Sequence, residues 1–221
     1  MIAPPSASTS YDPSCRACPR LADYLSEAAR LYPEYHCAPV PPFGTPAPSL
    51  IVVGLAPGMH GANASGRPFT GDHAGILLYE TLHAIGRATR PASVAVDDGL
   101  ELVDCRITNA VKCVPPKNRP VGAEIRRCNA YLAAELGECP RPIVIVALGR
   151  VAHEAVLDAL GEKRGAHPFA HAAEHVLPGG VTLVDSYHCS RYNQNTRRLT
   201  PEMFRAVLER ADTLARQRRR T

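Results

Sequence analysis

The 221-residue sequence has no run of eighteen or more uncharged apolar residues, so no segment is built to cross a membrane as a helix. Its first ten residues lack a basic start followed by an apolar stretch. This sets aside a secretory signal and leaves the cytoplasm as the expected compartment. Lysine is scarce: Lys112, Lys117 and Lys163 are the only three, and the other 22 of the 25 basic residues are arginine. Arginine grips phosphate with a planar fork and stacks on bases, and a net charge of +4 permits a nucleic-acid partner without requiring one. No internal repeat is present. Hydrophobic residues make up 45% and charged residues 21%, which excludes collagen-like, wholly disordered and coiled-coil chains.

A chain of this length suits one well-packed domain. The expected organisation is a Pro/Ser-rich mobile segment (1–14), a single domain (15–215) and a basic tail (216–221). The arginines of the tail, Arg218, Arg219 and Arg220, read as a solvated end. A monomer is expected. Pro39, Pro41, Pro42, Pro46 and Pro48 mark an extended connector. Short apolar runs at 50–54, 106–111, 143–148 and 181–185 read as strands buried on both faces. Helical patterns fall from about Cys15 through Ala28, over 76–85, 124–136 and 151–160, and after Thr200, where Pro201 and Glu202 favour a helix start. This alternation predicts an α/β fold with a parallel sheet flanked by helices, and such sheets bind ligands at the carboxyl ends of their strands.

Eight cysteines without an export signal argue against a disulfide framework. Cys15 and Cys18 form a C-x2-C pair, and Cys113 and Cys128 a second pair spaced C-x14-C. The gap between the pairs is too long for a small zinc finger. A [4Fe–4S] cluster or a structural zinc both fit, and spacing does not choose between them. Cys37, Cys105, Cys139 and Cys189 read as small buried or partly exposed thiols.

Three polar loops follow predicted strands. The first, G-L-A-P-G-M-H-G-A-N-A-S-G-R-P-F-T-G-D (54–72), is neither a P-loop nor a dinucleotide fingerprint. Phe69 has little local core to fill there, and Asp72 is either a helix cap or a functional carboxylate. The second, T-N-A-V-K-C-V-P-P-K-N-R-P (108–120), places Asn109 at the end of a strand, where its amide can read a heterocycle edge or be a satisfied buried group. The third, S-Y-H-C-S-R-Y-N-Q-N-T-R-R-L-T (186–200), carries His188, which alone reads as structural.

Together, these loops and the four cysteines resemble the type-B (family five) uracil-DNA glycosylases, over nearly the whole chain. The resemblance implies a three-layer α/β fold with a central four-stranded parallel sheet and helices on both faces. It implies a [4Fe–4S] cluster on Cys15, Cys18, Cys113 and Cys128, with zinc as the alternative, and a DNA partner containing uracil or other deaminated bases. His188 would donate to the uracil O2, Asp72 would orient water and stabilise the sugar cation, and Asn109 would read the base. Gly54, Leu55, Ala56, Pro57 and Gly58 would line the pocket with His60 and Asn63, and Phe69 would stack on the flipped base. Arg191, Tyr192 and Asn193 would enter the minor groove. The family's usual proline after the motif histidine is here Cys189. Leu55 stands where type-A enzymes carry a carboxylate, which argues against a type-A enzyme. A damage-binding protein of the same fold without chemistry, and a zinc-stabilised structural domain, are the rival readings.

Overall fold

The computed structural model describes residues 10–218, with the side chain of the last left aside. The terminal arginines Arg219 and Arg220, and most of the Pro/Ser-rich start, lie outside the described residues. Six strands form one sheet: β1 (Phe43–Gly44), β2 (Leu50–Gly54), β3 (Cys105–Asn109), β4 (Ile143–Leu148), β5 (Glu174–Leu177) and β6 (Val181–Ser186), in the order β1-β3-β2-β4-β6-β5. The four strands expected from the apolar runs are its parallel centre, with Val52 opposite Ile107 on one side and Val146 on the other.

The expectation of a purely parallel four-stranded sheet needs correction at both edges. β1 and β5 add on antiparallel, with Phe43 opposite Ile107 and Glu174 opposite Val184. Neither could show as an apolar run: β1 is two residues long, and β5 alternates exposed Glu174 and Val176 with inward neighbours.

The helices are α1 (Pro19–Leu31), α2 (Ala62–Ser65), α3 (His73–Ala84), α4 (Gly122–Glu138), α5 (Arg150–Ala159), α6 (Arg191–Asn195) and α7 (Pro201–Arg218). Strand alternation divides the core into two layers. Leu50, Val52, Val144 and Val146 pack with Leu78 and Leu82 of α3 and Phe204 and Leu208 of α7. Ile51, Val53, Ile145 and Ala147 face Leu132 and Leu136 of α4 and Ala152 and Val156 of α5. The backbone N–H of Met203 donates to Thr200 Oγ1 at 3.2 Å, the cap expected for α7. No helix among the described residues is long and apolar enough to cross a membrane.

One buried polar network fixes the chain after β3. Glu135 on α4 accepts from Arg106 Nε (2.9 Å), Thr108 Oγ1 (2.8 Å) and Lys112 Nζ (2.8 Å), and the Lys112 ammonium also donates to Thr108 Oγ1. Asn109 lies between Thr108 and Lys112, so this network sets its position. Removing the shared carboxylate would leave a buried ammonium unpaired. Glu135→Ala is therefore expected to cost about 3–5 kcal/mol in urea unfolding, and Glu135→Gln distinctly less.

Candidate active site

The carboxyl ends of β2, β3 and β6 open into one cavity of about 460 Å³. Phe69 and Asp72 from the first loop, Asn109 from the end of β3 and His188 from beyond β6 all line it. Leu55, Ala56 and Gly58 line it as well, and Arg191 and Tyr192 stand at its wall on α6.

Asp72 precedes α3, yet its side chain makes no capping bond to that helix. Its Oδ2 instead accepts the Ala62 N–H at 3.2 Å, across the loop. A Cβ added to Gly61 would lie 2.1 Å from the Asp72 carboxylate, and one added to Gly58 would lie 2.4 Å from it. Both positions are glycine because the carboxylate occupies the space a side chain would need. Burial raises the Asp72 pKa above the usual carboxylate value, with the backbone N–H groups of Ala62 and Gly58 pulling the other way.

Gly54, expected to line the cavity, does not; it lies behind Asn109 and Phe69, where a Cβ would meet Asn109 Oδ1 at 2.4 Å and the Phe69 ring at 2.7 Å. Asn109 is 4% exposed, and its Oδ1 is a buried acceptor with no partner. Such a group is costly unless a ligand supplies a donor. Phe69 adopts a left-handed backbone conformation (φ +59°), and its ring stacks on His188 at 6.1 Å between centroids. Burial pushes the His188 pKa down to about 4, so the imidazole is neutral at neutral pH.

Other expected residues sit elsewhere. His60 is exposed and packs edge-on to Tyr32 and Tyr35, whose hydroxyl lies 3.1 Å from His60 Nδ1. Asn63 is fully buried behind the loop, its amide donating towards Cys37 Sγ and Met59 Sδ. Pro57 is not among the cavity-lining residues. Asn193 faces a neighbouring cavity and steadies the third loop by donating from Nδ2 to the His188 carbonyl at 2.8 Å. Sequence reasoning missed Asn118, Ser190 and His73, which also line the main cavity. His73 could have been found by its place beside Asp72 at the helix start, whereas Asn118 and Ser190 gave no pattern to read.

Cys15, Cys18, Cys113 and Cys128 line a second, largely apolar cavity with Leu21 and Tyr131. None of the eight cysteines is in a disulfide. Burial pushes Cys128 up to about 11, and burial together with the three neighbouring sulfurs raises Cys113.

A family model described as the uracil DNA glycosylase superfamily matches residues 41–212. The chain belongs to that superfamily. It is 48% identical over 208 residues to a type-5 uracil-DNA glycosylase of Thermus thermophilus, covering 91% of this chain and 94% of that one. A Pyrobaculum aerophilum protein of the same name is 46% identical over 202 residues (90% of this chain, 88% of the relative). One from Mycobacterium leprae is 43% identical over 211 residues (91% of each). These relatives agree with the type-B (family five) resemblance of the three loops.

The displaced Asp72 equilibrium has a stability consequence. Its pKa is raised in the folded chain, so the folded state holds that proton more tightly than the unfolded one. The associated stability is present at low pH and lost as pH rises through the folded value. Asp72→Asn keeps an acceptor for the Ala62 N–H and removes the charge. It is expected to melt above the parent at pH 7.5, with the gap closing towards pH 4. A melting series in which the variant is less stable at every pH would contradict this.

Proposed function

We propose that this chain is a monofunctional DNA glycosylase that flips uracil out of DNA and hydrolyses its N-glycosidic bond, initiating base excision repair. The observation that carries the reading is the convergence of Phe69, Asp72, Asn109 and His188 on one cavity in a member of this superfamily. A stacked base is out of reach in duplex DNA, so the nucleotide must rotate into the pocket, at a cost of a few kcal/mol that is least for a damaged or mispaired base.

In the pocket, Phe69 stacks on the base, a contact worth about 1–3 kcal/mol that tolerates different rings. The orphaned Asn109 Oδ1 accepts the N3–H of uracil. As the C1′–N1 bond breaks, its electron pair leaves with the base and negative charge gathers on O2. Neutral His188 donates a hydrogen bond there, and a preorganised donor in a dry site is worth roughly 3 kcal/mol. Positive charge gathers on the sugar. The Asp72 carboxylate faces it and orients the water that adds to C1′, whose proton passes to the carboxylate or to solvent. Leu55 supplies no carboxylate, so Asp72 carries this work alone. Arg191 and Tyr192, the latter 72% exposed, stand at the cavity mouth to enter the minor groove and hold the gap open. Hypoxanthine and xanthine also present an N–H beside a carbonyl, so the same acceptor admits them.

We read the four cysteines as ligands of a [4Fe–4S] cluster, with zinc as the alternative. Sulfurs around one tetrahedral zinc lie about 3.8 Å apart. Among the described residues, the only group of three metal-ligating atoms within 4.8 Å of one another is elsewhere, whereas these four line one cavity. Bound on Cys15, Cys18, Cys113 and Cys128, the cluster would supply a structural tie between the segment before α1, the second loop and α4.

Release of base from duplexes carrying uracil, hypoxanthine or xanthine tests the function. Uracil excision is expected, and Asp72→Asn should slow single-turnover cleavage about 100-fold with DNA binding retained. An inactive parent that still binds damaged duplex would favour the damage-binding reading. A variant as fast as the parent would remove Asp72 from the mechanism. Iron and acid-labile sulfide near four of each per chain are expected in the anaerobically purified protein, and stoichiometric zinc on the thiols would reject the cluster.

A further inference from the structure

Away from the cavity, His153 on α5, His175 on β5 and Asp185 on β6 meet in the interior. His153 is 2% exposed and Asp185 is fully buried. His153 Nε2 lies 2.8 Å from the carbonyl oxygen of His167. A carbonyl only accepts, so Nε2 carries the hydrogen and, in the neutral ring, Nδ1 presents a lone pair. That lone pair points at Asp185 Oδ1, 2.7 Å away. Two acceptors at this distance repel unless a cation lies between them. The other carboxylate oxygen, Oδ2, lies 3.1 Å from His175 Nε2. The ion-pair partners of Asp185 among the described residues are these two imidazoles, with no arginine or lysine.

We propose that His153, His175 and Asp185 bind a divalent transition metal of the zinc class. Two imidazoles and one carboxylate, with ligating atoms within 4.8 Å of one another, form a donor set suited to such an ion. The His153-to-carbonyl bond is the outer-shell contact that fixes the tautomer and orientation of a ligating histidine. Ligand atoms of a tetrahedral zinc stand about 3.4 Å apart, so Nδ1 and Oδ1 open by about 0.7 Å to admit it, within the reach of small side-chain rotations. A bare proton is the competing occupant of the gap. The metal would join α5, β5 and β6 just before the chain turns into the His188 loop. The proposal does not depend on the glycosylase reading, since its test measures no excision.

The full chain, dialysed against a chelator that leaves iron in place, is titrated with Co2+ and then with Zn2+. One equivalent of Co2+ should bind with the ligand-field absorption of nitrogen and oxygen donors and no thiolate charge-transfer band. That separates this site from the four cysteines. Zn2+ should displace Co2+ and raise the Tm of the parent. His175→Ala, at the partly open edge, should weaken binding at least about 100-fold. His171→Ala, outside the trio, should bind as the parent does. No saturable binding by the parent, thiolate bands, or unchanged affinity in His175→Ala would each overturn the proposal. Should His175→Ala fail to fold, the stoichiometry and spectrum of the parent decide.

Discussion

A carboxylate held inside protein without a cation is the constraint to which the rest of this site answers. Among the described residues, Asp72 has no ion-pair partner, and burial raises its pKa. What keeps it in place is backbone: the Ala62 and Gly58 N–H groups, in a loop stripped of side chains at 58 and 61. This explains the composition of the first motif physically. Its glycines make room for a charge that must approach the main chain closely, and its aromatic, forced to positive φ, is turned towards the cavity. On the proposed mechanism the carboxylate would meet its compensating positive charge only when a sugar cation develops in front of it.

Loops that carry such groups need anchoring, and each of the three has a polar anchor behind it. The Arg67 guanidinium ties the first loop together, donating to Thr70 Oγ1 (2.8 Å), Ser93 Oγ (2.6 Å) and Asp98 Oδ2 (2.6 Å) while covering the Phe43 ring. Glu135 collects Arg106, Thr108 and Lys112 beneath the second. Asp185 and its two histidines lie beneath the third. Buried polar networks of this kind add little net stability compared with apolar packing, but they admit few alternative geometries. That is the property a preorganised site requires.

What the sequence disclosed follows from these forces. Runs such as I-V-I-V-A-L could only be strands covered on both faces, and all four such runs are the parallel centre of the sheet. The edge strands were illegible because pairing on one side and water on the other leave no apolar run. Asn109 was legible as an amide where strand propensity gives little reason for one, whereas Asp72 stood at a helix start where a cap would have explained it, and only the structure shows that its side chain does not cap that helix. His60 and Asn63 shared the motif but not the cavity, because α2 turns Asn63 inward and leaves His60 against the tyrosines of 32 and 35. The trio of His153, His175 and Asp185 could not be foreseen from any one motif. His167, His171 and His175 recur every four residues, but it is the pairing of β5 with β6 that brings His175 to Asp185.

Cys189 shows how one departure from a family pattern is absorbed. Proline stiffens a chain by fixing φ, and this loop obtains stiffness by other means. Asn193 and Gln194 of α6 reach back to donate to the carbonyls of His188 (2.8 Å) and Cys189 (2.7 Å), and Ser190 accepts from the Asn193 N–H to cap the helix. The Cys189 side chain is fully buried, with its pKa pushed up to about 12 by that burial, so it is a protonated filler of the core and no nucleophile. The short helix therefore does two things at once. Its side chains hold the backbone that carries His188, and its first residues, Arg191 and Tyr192, form the cavity wall. On the proposed function, a DNA strand pressing on α6 would press directly on the hydrogen bonds that position His188, and groove contact and catalytic geometry would then share one mechanical element.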